Sequence, residues 1–479
     1  MIILYWKILP RPLLSRRWYT TRMQPSAPVN VSDVIARSRI GPFQIGLFIL
    51  CALCLIMDGF DVQAIGFVAP KLIEEWKISG ALLGSVLSAA LVGVLFGSIL
   101  LSMLADRIGR RPVLIGACLF FSVVTLLTAR VESVPQLLVI RFIAGLGLGS
   151  IMPNAMALVS EYCPPRVRVS AIVIVGTGFT AGAMVAGFVS FWLIPRFGWR
   201  SVFYFGGAVP LVIGTLMFFL LPESLQFLAL HGESPDKLAR WLRRVDPNVA
   251  VTRDSEFVVR EQRLRGVPLV KLFQQGRAPG TLLLWTVYFM NLLNLYFLSS
   301  WLPTVATPLV KAAGVSASYA SLIGTTLQVG GVLGAVVFGW LINRFGFVKV
   351  LATCFAMACV CIALIGQPGL SLALLFLVVF LAGLGIVGSQ SGLNALAATL
   401  YPTDLRSTGI GSGLGVGRLG SIVGPVLAGQ LISAHWTTQS LFLAAAVPAL
   451  ISALVMIAMR WVIQPQQHTA GAPSEVLVH

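Results

Sequence analysis

The sequence predicts an all-α integral membrane protein, with twelve transmembrane helices in two pseudo-symmetric six-helix bundles. Three observations lead there. The first is composition. The chain has 479 residues, of which 57% are hydrophobic and only 11% charged, and its mean hydropathy is +0.89. So few charges could not cover a water-soluble protein of this length, so the solvent is lipid. The second is the count of apolar windows able to cross a hydrocarbon core of ~30 Å. The third is an internal repeat that splits those windows six and six.

In the first half the windows fall at about 43–69, 81–105, 112–130, 135–160, 169–194 and 200–222. In the second they fall at about 281–302, 316–342, 349–367, 370–400, 407–434 and 438–463. Lipid admits only helices or closed barrels. Barrel strands would show short alternating segments, and none appear. The resulting organisation is an N-terminal segment 1–42, a bundle 43–222, a linker 223–279, a second bundle 280–463 and a tail 464–479. The linker is polar, with 10 Lys/Arg and 7 Asp/Glu.

A formal charge of +17 would point to nucleic acid in a soluble chain. Here its distribution decides otherwise. With the N-terminus inside, inner segments hold 26 Lys/Arg and outer loops six, and Arg141 and Arg418 lie within helices. That asymmetry places both termini in the cytoplasm and the charge becomes a topology signal. The seven cysteines sit mostly in apolar windows and read as small buried hydrophobes. No metal site or cofactor is expected. Residues 1–22 are basic and acid-free, and they read as a leader or as the product of a start codon upstream of Met23.

The repeat is visible in two places. "SMLADRIGRRPVL" (102–114) returns as "GWLINRFGFVKVL" (339–351), and "AGLGLGSIMPNAMAL" (144–158) returns as "AGLGIVGSQSGLNAL" (382–396). Parallel six-helix repeats with matching inner loops are the mark of a rocking transporter. The first loop, with Asp106, Arg107, Gly109, Arg110 and Arg111, resembles the best-known signature of the major facilitator superfamily. Ser102 replaces its usual first Gly, and the second copy has Asn343 and Arg344 where an acid and Arg are usual. "DGFDVQAIGFVAP", "RFIAGLGLGSIMPNAMALVSEYCP" and "YPTDLRSTGIGSGLGVGRLGSIVGP" further resemble the aromatic acid–proton symporter family, over about residues 29 to 465. The resemblance implies the major facilitator fold and proton-coupled uptake of benzoate-type carboxylates, 4-hydroxybenzoate and protocatechuate among them.

Read one by one, the polar residues inside the windows form the candidate site. Asp58 and Asp61 lie three apart, about 60° and ~4.5 Å from one another on one helix face. Two carboxylates this close do not both ionise cheaply in low dielectric, which suits a proton carrier; a paired structural role is the other reading. One charged group at the membrane centre already costs about 2.5–3.5 kcal/mol on insertion scales. Arg418, roughly mid-membrane, has a planar fork matched to a carboxylate. It binds the substrate acid, or pairs with Asp58 or Asp61. Arg141 matches the superfamily R-x-x-x-G, with Gly145, which implies a part in proton coupling; snorkelling to the outer interface is the alternative. Glu161 is expected to pair with the inner-loop arginines, and Asp106 to cap a helix and latch the inner side. For the substrate ring and its substituents the candidates are Phe60, Asn154, Tyr288, Asn291, Asn294, Gln390 and Asn394, besides Asp61 and Arg418.

The expected function is therefore a proton-coupled symporter for an aromatic carboxylate, acting as a monomer in the inner (plasma) membrane and driven by the proton gradient. One proton with one monoanion is electroneutral. Each further proton would add about 2.3 kcal/mol per 100 mV of membrane potential. The alternatives are a related carrier of another organic acid, sugar or drug, or a transport-inactive chemoreceptor. An enzyme is not expected: no His, Cys or acid cluster has catalytic spacing, and all four histidines lie outside the windows.

Overall fold

The structure, a computed structural model, describes residues 29–230, 235–246, 257–258, 268–402 and 405–469. The leader at 1–22, Met23, and parts of the linker and tail lie outside the described residues. Twelve membrane-spanning helices occur among those described: α1 Pro42–Trp76, α2 Gly80–Ile108, α3 Arg110–Thr128, α4 Val134–Tyr162, α5 Pro165–Phe197, α6 Arg200–Leu220, α7 Ala278–Ala312, α8 Tyr319–Phe345, α9 Phe347–Ile365, α10 Leu372–Leu400, α11 Arg406–Ser433 and α12 Thr438–Val462. Short connections make them alternate in direction, so α1 begins and α12 finishes at the end where the linker lies. We call this the linker end and the opposite one the far end.

The apolar windows matched the helices closely, except that α1 and α7 run on to Trp76 and Ala312. Those extensions contain Lys71, Glu74, Glu75 and Lys311, which lower hydropathy without breaking a helix. A helix satisfies its own backbone hydrogen bonds wherever it is, so it need not stop where the apolar stretch stops.

The two halves pack alike. In the first, α1 packs on α5, α2 on α4 and α3 on α6; in the second, α7 packs on α11, α8 on α10 and α9 on α12. The matched inner loops each turn on one glycine, Gly109 at φ 101° and Gly346 at φ 84°, a conformation that other residues rarely adopt. Both α4 and α10 are interrupted at corresponding points, at Gly149–Ser150 and at Val387–Gly388. At the α1–α5 seam a Cβ on Gly182 would collide with the Ile56 carbonyl. On the α7–α11 seam Gly420 and Gly424 stand in the same relation to the Phe289 and Leu293 carbonyls. In lipid no hydrophobic force draws helices together, so close backbone approach over small residues provides the packing.

The bundles meet through α1 with α7, α2 with α11 and α5 with α8. Among the described residues, three hydrogen bonds join spanning helices of different bundles. Ala81 N donates to Ser433 Oγ (2.7 Å), Ser88 Oγ to the Ile422 carbonyl (2.7 Å), and the Arg418 guanidinium to the Val94 carbonyl (3.3 Å). These run from the far end to mid-membrane and no further. Toward the linker end, Gly411 and Gly415 of α11 look into open space.

The linker is less uniformly polar in effect than its composition. Its helix Pro235–Val245 is strongly amphipathic and buries Leu238, Leu242 and Val245, along with Leu225 and Leu228 of the preceding turn. Trp241 stacks on Phe43 at the start of α1 (5.8 Å), and Arg244 lies over Trp241 (4.8 Å).

Packing at the α1–α5 seam yields a direct expectation. Gly182→Val should lower stability by about 1–3 kcal/mol, since the obstacle is backbone and cannot swing away. Gly411→Ala, with free space around it, should be neutral or slightly stabilising. Thermal unfolding of the two purified variants in detergent checks this; equal shifts would contradict it.

Candidate functional site

Asp61 is fully buried and sits at the centre of a polar knot inside the first bundle. Arg141 Nη1 lies 2.9 Å from its Oδ2 and 3.2 Å from Oδ1, and Arg141 Nη2 donates to the Asp61 carbonyl (3.0 Å). Thr125 Oγ1 donates to Asp61 Oδ1 at 2.7 Å. One carboxylate thus ties α1, α3 and α4 together. Arg141 is itself fully buried, which excludes snorkelling to the interface. Gly145, one turn further along α4, has no side chain to strike the Ala90 carbonyl of α2, so the two helices close there. Thr125 was not picked out by sequence; it is one of three hydroxyls in its apolar window, and the other two, Ser122 and Thr128, bond carbonyls of their own helix.

Asp58, one turn earlier on α1, is different. It is 4% exposed and its carboxyl has no hydrogen bond among the described residues. Its strongest electrostatic neighbours are Asp61 and, across the bundle boundary, Arg418. Arg418 is only half-buried and also acts on the phenol of Tyr296 on α7. The two acids, one turn apart, therefore divide: Asp61 is paired with Arg141 within a bundle, and Asp58 lies in the field of Arg418 across the bundle boundary.

Between α7 and α10 run two polar rungs. The Tyr288 hydroxyl donates to Asn394 Oδ1 (2.7 Å), and Asn291 Nδ2 donates to Gln390 Oε1 (2.9 Å). Gln390 and Asn394 are partly exposed, while Asn291 is fully buried. Asn294 is also fully buried, with both amide atoms unpartnered. Two of the ring candidates lie elsewhere. Phe60 packs within the first bundle against Phe205 (5.4 Å) and over Gly206, so it does not join Arg418. Asn154 donates its side-chain amide to the Ser150 carbonyl at the break in α4 (2.8 Å), the same carbonyl that accepts its backbone N–H (3.3 Å).

At the linker end, Glu161 meets Arg110 at 3.2 Å, as its position at the end of α4 led us to expect. Its other oxygen accepts from Ser224 Oγ (2.6 Å). The helix cap expected of Asp106 is made by a different acid. Glu223 Oε1 accepts from the backbone N–H of Arg110 (2.9 Å) and Arg111 (3.1 Å), the first residues of α3. Asp106 belongs to the last turn of α2, on the wrong side of Gly109 to reach those amides, and it is exposed together with Arg107, Asn343 and Arg344. Arg111 donates to the Phe218 carbonyl and Arg344 lies over Trp340 (5.6 Å). Gly109 matters twice, since a side chain there would strike the Glu223 carboxylate. An acid directly after the sixth window was the available signal for Glu223. Among the described residues, no group of three or more His, Cys, Asp or Glu is placed to hold a metal ion.

Two six-helix bundles joined at one end, with a cation and an acid that has no hydrogen bond among the described residues on their boundary, have the architecture of a membrane transporter. The chain belongs to the Major Facilitator Superfamily, whose family model matches residues 51–309 and 284–476. It is 40% identical over 441 residues to the 4-hydroxybenzoate transporter PcaK of Pseudomonas aeruginosa, covering 90% of this chain and 97% of that protein. It is 38% identical to a gallate transporter of Pseudomonas putida (90% and 95% covered) and 33% identical to a benzoate transport protein of Acinetobacter baylyi (89% and 91%). Among solved structures, the inward open xylose transporter XylE from E. coli matches with a TM-score of 0.70 at 16% identity, covering 88% of this chain and 96% of that one. A bacterial homolog of the lysosomal transporter Spinster, inward-facing and occupied, matches with 0.69 at 18% identity, covering 89% and 99%. Such relatives make this chain a transporter rather than an enzyme, and a multi-pass membrane protein.

The capping arrangement separates Glu223 from Asp106. Glu223→Ala leaves two amides of α3 without their acceptor and should cost about 1 kcal/mol, within the range of lost caps. Asp106→Ala should stay within about 0.5 kcal/mol. Unfolding midpoints in detergent decide it, and a larger loss from Asp106→Ala would refute the assignment of the cap.

Proposed function

We propose that this protein is a proton-coupled symporter that imports an aromatic carboxylate, such as 4-hydroxybenzoate, protocatechuate or benzoate, by alternating access. The observation that supports it most is the division of the acids, with Asp61 neutralised by Arg141 while Asp58 has only Arg418, on the other bundle, to answer its charge. The names of the relatives supply the substrate class.

The coupling follows from conserving charge in low dielectric. Without substrate, Arg418 offsets the Asp58 carboxylate across the bundle boundary. A substrate carboxylate that takes the guanidinium fork removes that compensation. A buried charge with no partner is costly, so a proton enters with the substrate and occupies Asp58. Monoanion and proton together leave the centre's charge unchanged, and the bundles are free to rock. Release of both on the other side restores the Asp58–Arg418 attraction. Arg141 holds Asp61 in an ion pair within the first bundle, which leaves Asp58 as the address for the coupling proton.

In this reading the linker end is cytoplasmic, the termini are inside, and the protein works as a monomer in the inner membrane without a cofactor. The bundles, held together from far end to mid-membrane, are then in the conformation that opens to the cytoplasm. Asp106, Arg107, Asn343 and Arg344, exposed here, are the groups available to close that side in the opposite conformation. The retained acid makes the first loop the stronger latch.

Right-side-out vesicles with an imposed pH gradient test the whole reading. They should accumulate labelled 4-hydroxybenzoate, and uptake that persists when the gradient is collapsed would overturn proton coupling. Asp58→Asn is expected to abolish accumulation yet retain exchange of labelled for unlabelled substrate, which needs no net proton release. Gradient-driven accumulation by Asp58→Asn at the wild-type level removes Asp58 from the mechanism. Arg418→Lys keeps the charge but loses the fork, and apparent affinity should fall by about tenfold, or ~1.4 kcal/mol. If an amide analogue of the substrate competes as well as the acid, Arg418 does not read a carboxylate.

A further inference from the structure

The rung between Asn291 and Gln390 is half of an amide pair. Two side-chain amides facing each other can form two hydrogen bonds, one in each direction. Here only Asn291 Nδ2 to Gln390 Oε1 is made, at 2.9 Å. Asn291 Oδ1 and Gln390 Nε2 are both buried and, among the described residues, both lack a partner. What remains is one acceptor and one donor, on neighbouring residues, at the middle of the membrane. The next rung toward the linker end, Tyr288 to Asn394, spends its hydroxyl donor internally and leaves no such complementary pair.

Burying an unpartnered amide atom costs roughly what a lost hydrogen bond does, and the great majority of buried polar side-chain atoms find a partner. Asn291 is fully buried, so water is not its ordinary environment, whereas Gln390 is partly exposed and marks the side from which a ligand could come. Gln390 also follows directly on the interruption of α10 at Val387–Gly388, and the Ser389 hydroxyl beside it is buried without a partner. A group that completes the rung accepts one hydrogen bond and donates another. A carboxylate only accepts and an ammonium only donates; a hydroxyl does both.

We propose that Asn291 and Gln390 form a subsite for a ring hydroxyl, which donates to Asn291 Oδ1 and accepts from Gln390 Nε2. It rests on the aromatic-acid reading above and deepens it: Arg418 takes the carboxylate, and the α7–α10 rung distinguishes a hydroxylated ring from a bare one. Sites built to hydrogen-bond a substrate hydroxyl reject analogues lacking it, because their own polar atoms are then left unpaired.

The test compares 4-hydroxybenzoate with benzoate in cells expressing the full chain. Apparent affinities are measured for wild type, Gln390→Leu and Gln390→Glu, with membrane levels of each variant determined. Ionised Gln390→Glu retains an acceptor for Asn291 Nδ2 and removes the free donor; its added charge acts alike on the two monoanionic substrates, so the affinity ratio decides the matter if the leucine variant fails to reach the membrane. The readout is the ratio of the two affinities, which a general loss of packing would not move. Both variants should reduce the preference for 4-hydroxybenzoate over benzoate about tenfold. Affinities for the two acids that change in parallel, or not at all, overturn the hydroxyl subsite while leaving the transport reading standing. A wild type that takes up neither acid overturns the transport reading, and the subsite with it.

Discussion

The ion pair between Asp61 and Arg141 is the interaction around which the first bundle is organised. Neither charge could be left alone at that depth, and breaking such a buried pair typically costs about 3–5 kcal/mol. The pair is reinforced by Thr125 and by a second bond from Arg141 to the Asp61 carbonyl, so it holds both a side chain and the backbone of α1. Three helices are thereby fixed at one point, and the position of Asp58 one turn away is fixed with them.

The bundles follow a different rule inside than between them. Within each bundle, glycines set against backbone carbonyls bring helices close and keep them in register. Between bundles the far-end contacts also use small residues, with Gly80 and Gly84 of α2 against Gly429 and Pro425 of α11 and Gly66 of α1 against Ser299 and Ser300 of α7. These surfaces carry no charge. They can separate without stranding an ion in lipid. Charged groups lie at mid-membrane and at both ends of the helices, with Lys71, Glu74 and Lys311 exposed at the far end.

The linker end shows how a basic loop becomes a rigid corner. Glu223 receives the amides of α3, Glu161 receives Arg110, and the Tyr162 hydroxyl donates to the Glu223 carbonyl at 2.6 Å. Exits of α4 and α6 and the entry of α3 are tied into one unit. Among the described residues the second bundle shows no such corner: at Gly346, where α9 begins, an added Cβ would meet nothing within 4 Å. Among those residues the internal repeat preserves the helix packing but not this bracing.

The sequence by itself determined the twelve helices, the six-and-six division and the residues from which a site could be built. Those features are local or periodic: hydropathy over twenty residues, a repeat at nearly constant offset. Arg418 and the acids of α1 were conspicuous for the same reason, as charges where lipid should allow none. Only the tertiary structure decided partnership. Asp58 and Asp61 are indistinguishable in a string of letters, and Arg141 is separated from Asp61 by eighty positions. Whether an acid is neutralised inside its own bundle or faces a cation on the other depends on which way its helix is turned and what it packs against. Phe60 went to the bundle core for that reason. Glu223, which looked like the first charge of a polar linker, became a helix cap because Gly109 left room for it.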